Sequence, residues 1–278
     1  MSILNVEHLS HGFGDRAIFE DVSFSIDTDW RLGFIGRNGK GKTTFLNLLL
    51  GKYRYQGTID APSGFRYFPY LVTERQMGME AWEFIDELEE GCELWQAARE
   101  LADLGETDEI LYRPFGSLSP GERTKLLLAV LFAGNGGFFL IDEPTSHLDL
   151  EARQLLADYL SGKKGFLLVS HDRSLLDPCI DHVLTIDRDG QIRLEKGNYS
   201  SWQANKDLQD RFEQEENQRL RGEIRRLQQT SREKSDWADR VERSKIGSHS
   251  ADRGYVGARS AAMMKKSKVP ERRLDKAV

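Results

Sequence analysis

The chain has 278 residues, 39% hydrophobic and 30% charged, with a net charge of −6. This composition allows a substantial core, and no uninterrupted apolar run approaches the roughly 20 residues that span a bilayer, which excludes a membrane pore formed by this chain alone. The first residues carry no apolar segment typical of a signal peptide. Cys92 and Cys179 fit no metal-ligand spacing, so we expect two reduced, buried thiols and a cytoplasmic protein.

Alternating and apolar segments predict the first part of an α/β core. Ile3–Phe13 and Val22–Ile26 alternate as exposed strands do, and Arg31–Ile35 is a short apolar strand that ends in a glycine-rich turn. The apolar residues of Lys42–Leu50 predict a buried helix that follows this turn. Leu71–Leu111 is rich in helix formers with apolar residues spaced for packing, so we expect a small helical insert.

Further strands are predicted at Phe138–Ile141, Gly165–Ser170, His182–Ile186 and Gln191–Glu195. The last two are expected to pair through a turn at Asp189-Gly190. Strands that alternate with helices indicate an α/β fold over residues 1–197, interrupted by the helical insert.

Residues 198–278 have a different composition and predict an appended helical segment. Over 201–243 the apolar residues are sparse and recur at roughly heptad spacing, which suits a two-stranded helical hairpin. The stretch 244–278 carries 9 Lys and Arg against 3 Asp and Glu. This charge favours an anionic partner, although a solvated charged helix has the same composition.

One segment matches the phosphate-binding pattern G-x-x-x-x-G-K-[ST] and lies between the third strand and the following helix. Its glycines leave room for backbone N–H groups to wrap phosphates, and the helix directs its positive end at them. Lys42 is expected to reach the β- and γ-phosphates, and the Thr43 hydroxyl to ligate Mg²⁺. The predicted ATP-binding residues of this segment are Gly36, Arg37, Asn38, Gly39, Lys40, Gly41, Lys42, Thr43 and Thr44.

Two carboxylates and one histidine complete the predicted catalytic set. The strand Phe138–Ile141 ends in Asp142 and Glu143; the first is expected to hold Mg²⁺ with Thr43, and the second to act as the base that polarises the attacking water. His171 follows the strand Gly165–Ser170, at the end where such sheets place their ligands.

Three further segments carry a family resemblance. Leu118–Glu122 resembles the LSGGQ signature of ATP-binding-cassette (ABC) ATPases, Asp142–Asp149 their Walker B motif and D-loop, and Ser170–Asp172 their switch-histidine segment. The resemblance implies a P-loop NTPase fold in which two facing ABC domains enclose two ATP molecules. Ser119 and Gly121 would then bind the γ-phosphate of an ATP held by the second domain, and Asp149 would lie at the same nucleotide.

Two aromatic positions are left open by this resemblance. Phe13 falls where the family places a ring against adenine, and core packing is an equal alternative. Tyr70 stands where transporter ATPases carry a glutamine that touches Mg²⁺ and couples to membrane helices, and Gln76, nearby, is not assigned that role. This departure argues against coupling to a membrane partner.

The tail narrows the resemblance to the ABC-F class, which lacks transmembrane domains and works on ribosomes. Asp142–Asp149 followed by Gly197–Ser200 resembles the ABC-F class. Asp252–Gly257 and Ala261–Lys268 resemble the interdomain linker of Lsa- and Vga-type resistance proteins, where a helical hairpin enters the ribosomal tRNA exit region. Basic residues would meet rRNA phosphates, and Tyr255 would either stack on a base or pack the hairpin.

We therefore expect a ribosome-associated ABC-F ATPase that protects translation against lincosamides, pleuromutilins and streptogramin A. The chain resembles an N-terminal half with one ABC domain, so we expect ATP binding with slow hydrolysis unless a second domain or a second copy pairs with it. The alternative is the ATP-binding subunit of a membrane ABC transporter. A chromosome-maintenance ATPase is disfavoured because Gly36 and Leu118 share one domain.

Overall fold

A computed structural model describes residues 2–14, 16–36, 39–62, 64–89, 91–134, 136–187 and 190–246. The chain divides into two compact units, Met1–Ala204 and Asn205–Val278. The first unit extends to Ala204 because Tyr199 and Trp202 pack against its hydrophobic core. The boundary that the sequence suggests between residues 197 and 198 stays a prediction.

The described strands belong to two sheets of the first unit. They are β1 (Ile3–Phe13), β2 (Arg16–Asp27), β3 (Arg31–Ile35), β4 (Gln56–Asp60), β5 (Phe65–Phe68), β6 (Phe138–Asp142), β7 (Phe166–Val169), β8 (His182–Ile186) and β9 (Ile192–Lys196). The larger sheet has the order β5-β6-β7-β3-β8-β9, and the smaller one has the order β2-β1-β4. In the larger sheet the neighbouring strands β5, β6, β7, β3 and β8 pair in parallel. Strand β9 pairs antiparallel with β8.

The described helices lie between these strands and after them. They are α1 (Lys42–Leu49), α2 (Glu74–Met77), α3 (Ile85–Leu88), α4 (Leu94–Asp103), α5 (Pro120–Ala133), α6 (Leu150–Ser161), α7 (Arg173–Cys179) and α8 (Tyr199–Ile246).

The parallel sheet is buried on both faces, as its nearly continuous apolar strands require. In β6, Phe138 and Leu140 join the core cluster that contains the buried side of α1, whereas Phe139 and Ile141 join the cluster beneath α4 to α7. Asp142 therefore lies at the carboxyl end of a buried strand that is paired on both sides, where ligands bind in sheets of this kind.

The helical insert spans the connection from β5 to β6. Helices α2 to α5 and three short 3₁₀ turns build it, and α4 and α5 pack on each other around buried Ala97 and Leu101. Cys92 is buried in this insert and Cys179 at the end of α7, and both thiols are free. The expectation of two buried, unpaired cysteines is confirmed.

Most sequence-predicted elements are present, and strand β4 and helices α6 and α7 are among the elements that were missed. The α/β fold class with a helical insert and a long helix after it is confirmed. Strand β4 was missed because Gln56–Asp60, at an edge of the smaller sheet, is mostly polar and exposed. It therefore shows no apolar alternation. It is held by backbone pairing with β1 rather than by burial of its own side chains.

Helix α8 runs for 48 residues, and its part beyond Ala204 belongs to the second unit. Two of its apolar residues that recur at roughly heptad spacing, Leu208 and Phe212, are exposed. The predicted helix over 201–243 is confirmed. The second helix of the predicted hairpin lies outside the described residues. So do the residues between 247 and 278 that are predicted to contact the ribosome.

Candidate functional site

The phosphate-binding segment joins β3 to α1 and is open where phosphates would lie. Gly39 and Gly41 have φ angles of 74° and 104°, a conformation that side chains other than glycine rarely adopt. A Cβ at Gly41 would lie 2.8 Å from Ile18, whereas the space beside Gly39 is empty. Lys40 precedes α1 and Thr44 lies in its first turn. Arg37 and Asn38 lie outside the described residues.

Lys42 opens α1 and is almost fully buried, with a relative exposure of 8%. Its Nζ donates a hydrogen bond to the carbonyl oxygen of Gly36 at 2.8 Å. Burial lowers the pKa of this lysine, and the charges of Glu143 and Asp142 partly oppose that effect. A buried ammonium held beside an open backbone cradle gains free energy from an anion, which fits the predicted contact with phosphate.

Asp142 and Thr43 meet although 99 positions separate them in the sequence. The Thr43 hydroxyl donates to Oδ2 of Asp142 at 3.4 Å, because α1 packs on the face of the sheet from which Asp142 projects. Burial raises the pKa of Asp142, and its hydrogen bonds partly oppose this. A carboxylate that burial destabilises, beside a hydroxyl, is an oxygen set that fits Mg²⁺.

Glu143 follows in a left-handed conformation, with φ at 50°. Its amide donates to the Val169 carbonyl at 2.9 Å, which holds the turn against β7. The Oε1 atom is buried and accepts no hydrogen bond from the described residues; Nε2 of His171 lies 3.5 Å from it. Burial raises the pKa of Glu143. A carboxylate with an open acceptor oxygen and a raised pKa is suited to take a proton from water.

The signature residues cap the helix that they precede. Ser119 accepts from the Glu122 amide at 3.2 Å, and Glu122 accepts from the Ser119 amide at 2.6 Å, a complete capping box at the start of α5. A Cβ at Gly121 would meet only ordinary contacts at 3.6 and 3.8 Å. Packing within this chain therefore does not require glycine there, which leaves room for a ligand from outside. Asp149 caps α6 by accepting from Ala152 at 2.8 Å.

Phe13 lies outside the buried core, with 52% of its surface exposed. Its ring is edge-on to His11 and Tyr53, with centroids 4.9 and 5.5 Å away. Core packing, one of the two interpretations of this residue, does not describe it. Stacking on adenine stays a prediction.

Tyr70 and Gln76 both bond away from the acids. The Tyr70 hydroxyl donates to Glu89 at 2.7 Å, and Glu89 is buried beside Arg66. Gln76 is buried in the capping box of α2. Neither side chain therefore takes the metal-contacting role of the transporter glutamine in this structure.

Sequence reasoning missed Tyr67, whose hydroxyl donates to Asp142 Oδ2 at 3.4 Å. Burial raises the pKa of Tyr67 to about 12, with the Asp142 charge acting in the same direction, so the phenol keeps its proton. The only signal in the sequence is that Tyr67 lies in the aromatic-rich run Phe65–Tyr70. A cavity of about 640 Å³ extends from Thr43, Tyr67 and these acids to Phe115 and Leu127 of the helical insert.

Comparison with known proteins identifies the domain. The family model described as "ABC transporter" matches residues 19–146, which include the phosphate-binding loop, the signature segment and both acids. The first unit has the fold of an ABC nucleotide-binding domain. Proteins with this domain bind ATP, generally with Mg²⁺, and hydrolyse it.

Curated bacterial proteins are similar to this chain over alignments of 193 to 268 residues. The "Uncharacterized ABC transporter ATP-binding protein YkpA" of Bacillus subtilis is 31% identical over 268 residues, covering 82% of this chain and 49% of the relative. The "Ribosome protection protein VmlR" of Bacillus subtilis is 34% identical over 193 residues, covering 67% and 35%. The "Energy-dependent translational throttle protein EttA" of Escherichia coli is 29% identical over 224 residues, covering 73% and 38%. The chain thus spans half or less of the length of these relatives.

Solved structures support the same ABC fold. MJ1267, an ATP-binding cassette of an ABC transporter, has a TM-score of 0.59 at 20% identity and covers 71% of this chain and 92% of its own. A bacterial Atm1-family ABC exporter with ATP bound has a TM-score of 0.59 at 19% identity, with coverages of 73% and 40%. No helix in the described part of the chain combines the length and apolar composition needed to cross a membrane.

Proposed function

We propose that this chain is part of an ABC-F protein that uses Mg-ATP to act on the ribosome. In the ABC domain, Lys42 and the backbone of Gly36–Thr44 bind the phosphates, and Phe13 stacks on adenine. Thr43 and Asp142 hold Mg²⁺, which supplies positive charge to the phosphate oxygens. Glu143 takes the proton of the attacking water, and His171, near its Oε1, orients that carboxylate.

Hydrolysis in this proposal needs a second ABC domain, from another chain segment or a second copy. Ser119 starts α5 on an exposed surface, so the helix N-terminus is accessible to the phosphate of an ATP held opposite. Gly121 has space for that approach, and Asp149 lies at the start of the neighbouring helix. The chain alone is therefore expected to bind ATP and to turn it over slowly.

The ribosomal role is supported by one combination above all: an ABC domain followed directly by a 48-residue charged helix. The relatives VmlR and EttA are named for ribosome protection and for a translational throttle. A long solvated helix can carry a contact far from the ATP site, at 1.5 Å per residue. Protection against lincosamides, pleuromutilins and streptogramin A, contact with the tRNA exit region, and a cytoplasmic location complete the proposal.

Sedimentation with ribosomes tests the proposal. The full chain carrying Glu143→Gln, which retains ATP, is expected to pellet with 70S ribosomes in Mg-ATP and to remain in the supernatant without nucleotide. The matched control combines Glu143→Gln with Lys42→Met, which removes the buried phosphate-binding cation while keeping its apolar stem. Equal pelleting of both variants would contradict nucleotide-dependent binding.

A second arm tests drug protection. Cell-free translation inhibited by a lincosamide is expected to recover when the wild-type chain and ATP are added, and not when the Lys42→Met variant is added. Nucleotide-dependent ribosome binding without recovery would retain the ribosomal role and remove protection from the proposal.

A second candidate is the ATP-binding subunit of a membrane transporter. It is favoured by the similarity to YkpA, which is named an ABC transporter ATP-binding protein. Against it stands Tyr70, whose hydroxyl is bonded to buried Glu89 instead of facing the metal acids. Fractionation of cells that express the chain separates the two functions, because a transporter subunit is expected to sediment with membranes after ribosomes are removed.

A further inference from the structure

The register of two parallel strands brings a phenol to the acid that we expect to hold Mg²⁺. Strand β5 pairs with β6 so that Tyr67 lies opposite Leu140. Residues two apart on a strand share a face, so Asp142 is the next residue on that face towards the carboxyl end. The diagonal separation is within reach of an aromatic side chain. The Tyr67 hydroxyl accordingly meets Oδ2 of Asp142 at 3.4 Å.

Two hydroxyls therefore converge on one oxygen of Asp142. Thr43 reaches Oδ2 from the start of α1, also at 3.4 Å, and Tyr67 reaches it from the edge strand β5. One hydrogen-bond donor fixes the distance to a carboxylate oxygen but leaves the carboxylate group free to rotate. Two donors from different elements restrict both the distance and the rotation. Outer groups that orient a metal ligand in this way change metal affinity when they are removed.

The Tyr67 ring is itself held in place. It packs against the cluster that contains the buried side of α1, and the Nζ atom of Lys52 lies 5.0 Å from the ring centroid. This is within the range of a cation–π contact. The ring would therefore remain in position if its hydroxyl were removed, which makes the hydroxyl's contribution separable from packing.

Tyr70, three residues along the same segment, is turned the other way. Its hydroxyl donates to Glu89 in the helical insert. Arg66, directly before Tyr67, also bonds away from the acids: its Nε donates to the Gly136 carbonyl at 2.6 Å. Among the residues described in and directly after β5, Tyr67 is the one with a hydrogen bond to Asp142.

We propose that Tyr67 is a positioning residue that orients the Asp142 carboxylate for Mg²⁺ from strand β5. Its position is three residues before the one at which transporter ATPases carry their glutamine. The inference rests on the proposed binding of Mg-ATP at this site. Tyr67 then contributes to the affinity for Mg²⁺, and this contribution is separate from the binding of phosphate by Lys42.

Binding of a fluorescent ATP analogue to the full chain tests the proposal, first in EDTA and then as Mg²⁺ is titrated. For Tyr67→Phe, the Mg²⁺ concentration at half-effect is expected to rise on the order of tenfold. Binding in EDTA and the unfolding temperature are expected to stay at the wild-type values, because the ring and its packing remain. Tyr112→Phe, which removes a hydroxyl from an exposed tyrosine of the helical insert, is the matched control and is expected to leave the titration unchanged.

The outcomes separate this inference from the proposed function. Wild-type binding that Mg²⁺ strengthens, with an unchanged midpoint in Tyr67→Phe, would overturn the positioning role and leave ATP binding intact. Equal weakening with and without metal, or loss of folding in Tyr67→Phe, would make Tyr67 a structural residue and overturn the inference. A wild-type chain that binds no nucleotide would overturn the function and the inference together.

Discussion

Ser119 has two predicted roles, and one pair of substitutions separates them. Its side chain caps α5 within the present structure, and the proposed function also assigns it to the γ-phosphate of a facing ATP. Ser119→Ala removes the acceptor for the Glu122 amide, a bond of 3.2 Å. Loss of such a cap costs about 1 kcal/mol, which in a unit of this size lowers the unfolding temperature by about 2–4 °C.

Ser119→Asp retains a capping acceptor but places a negative charge where the phosphate would bind. Aspartate is as good an N-cap as serine and suits the positive end of α5, so the unfolding temperature is expected to stay within about 1 °C of wild type. ATP-dependent pairing, measured by sedimentation velocity in a Glu143→Gln background, is expected to be lost in Ser119→Asp. If Ser119→Asp destabilises the domain as much as Ser119→Ala, the capping argument is wrong. Pairing as strong as in the parent would refute the phosphate contact.

The same capping box predicts a pH dependence. The hydrogen bond from the Ser119 amide is the largest favourable cause that lowers the pKa of Glu122 below its ordinary value of 4.5. A carboxyl group with a lowered native pKa stabilises the fold above its unfolded pKa, and this stability is lost as the pH falls through the native value. The difference in unfolding temperature between Glu122→Gln and wild type should therefore be present at pH 7 and shrink below pH 4.5.

Three further predictions follow from burial and backbone geometry. Without metal, Glu143→Gln should raise the unfolding temperature at pH 7, because burial raises the pKa of Glu143 and its charged form is disfavoured; a lower temperature would contradict this. Gly57→Ala should cost at least about 2 kcal/mol in urea unfolding, since φ is 99° and a Cβ would lie 2.4 Å from carbonyl oxygens of β1. A near-neutral result would mean that β4 is not paired there. Gly222→Ala, in open space within α8, should increase helicity by circular dichroism with a gain of roughly 0.5–1 kcal/mol, and unchanged or reduced helicity would contradict a continuous helix.

Local sequence patterns were enough to predict the elements that carry the site. Strand β3, the glycine-rich turn and α1 follow from an apolar run, glycines with left-handed φ angles and a second apolar run. Asp142 and Glu143 were found because they end a buried strand. These signals are local, since they depend on neighbours in the chain and on the backbone freedom of glycine.

The contacts of the site depend on strand order, which local patterns do not specify. Strand β6 lies between β5 and β7, and β3 lies beyond β7, so residues far apart in the chain meet at one edge of the sheet. This order brings Thr43 to Asp142 and His171 to Glu143. The phosphate-binding pattern predicted that Thr43 and Asp142 share Mg²⁺, whereas nothing in the sequence predicted the contact of His171 with Glu143.

The sequence by itself predicted which residues bind phosphate and metal, because glycine, lysine and acidic side chains in that spacing have few other uses. Only the tertiary structure decided that Tyr67 faces Asp142 while Tyr70 faces Glu89. Both tyrosines belong to one run of aromatic residues, Tyr67 in β5 and Tyr70 just after it. Their different partners arise from the parallel register with β6 and from the buried carboxylate of the helical insert, and neither is encoded within a short stretch of chain.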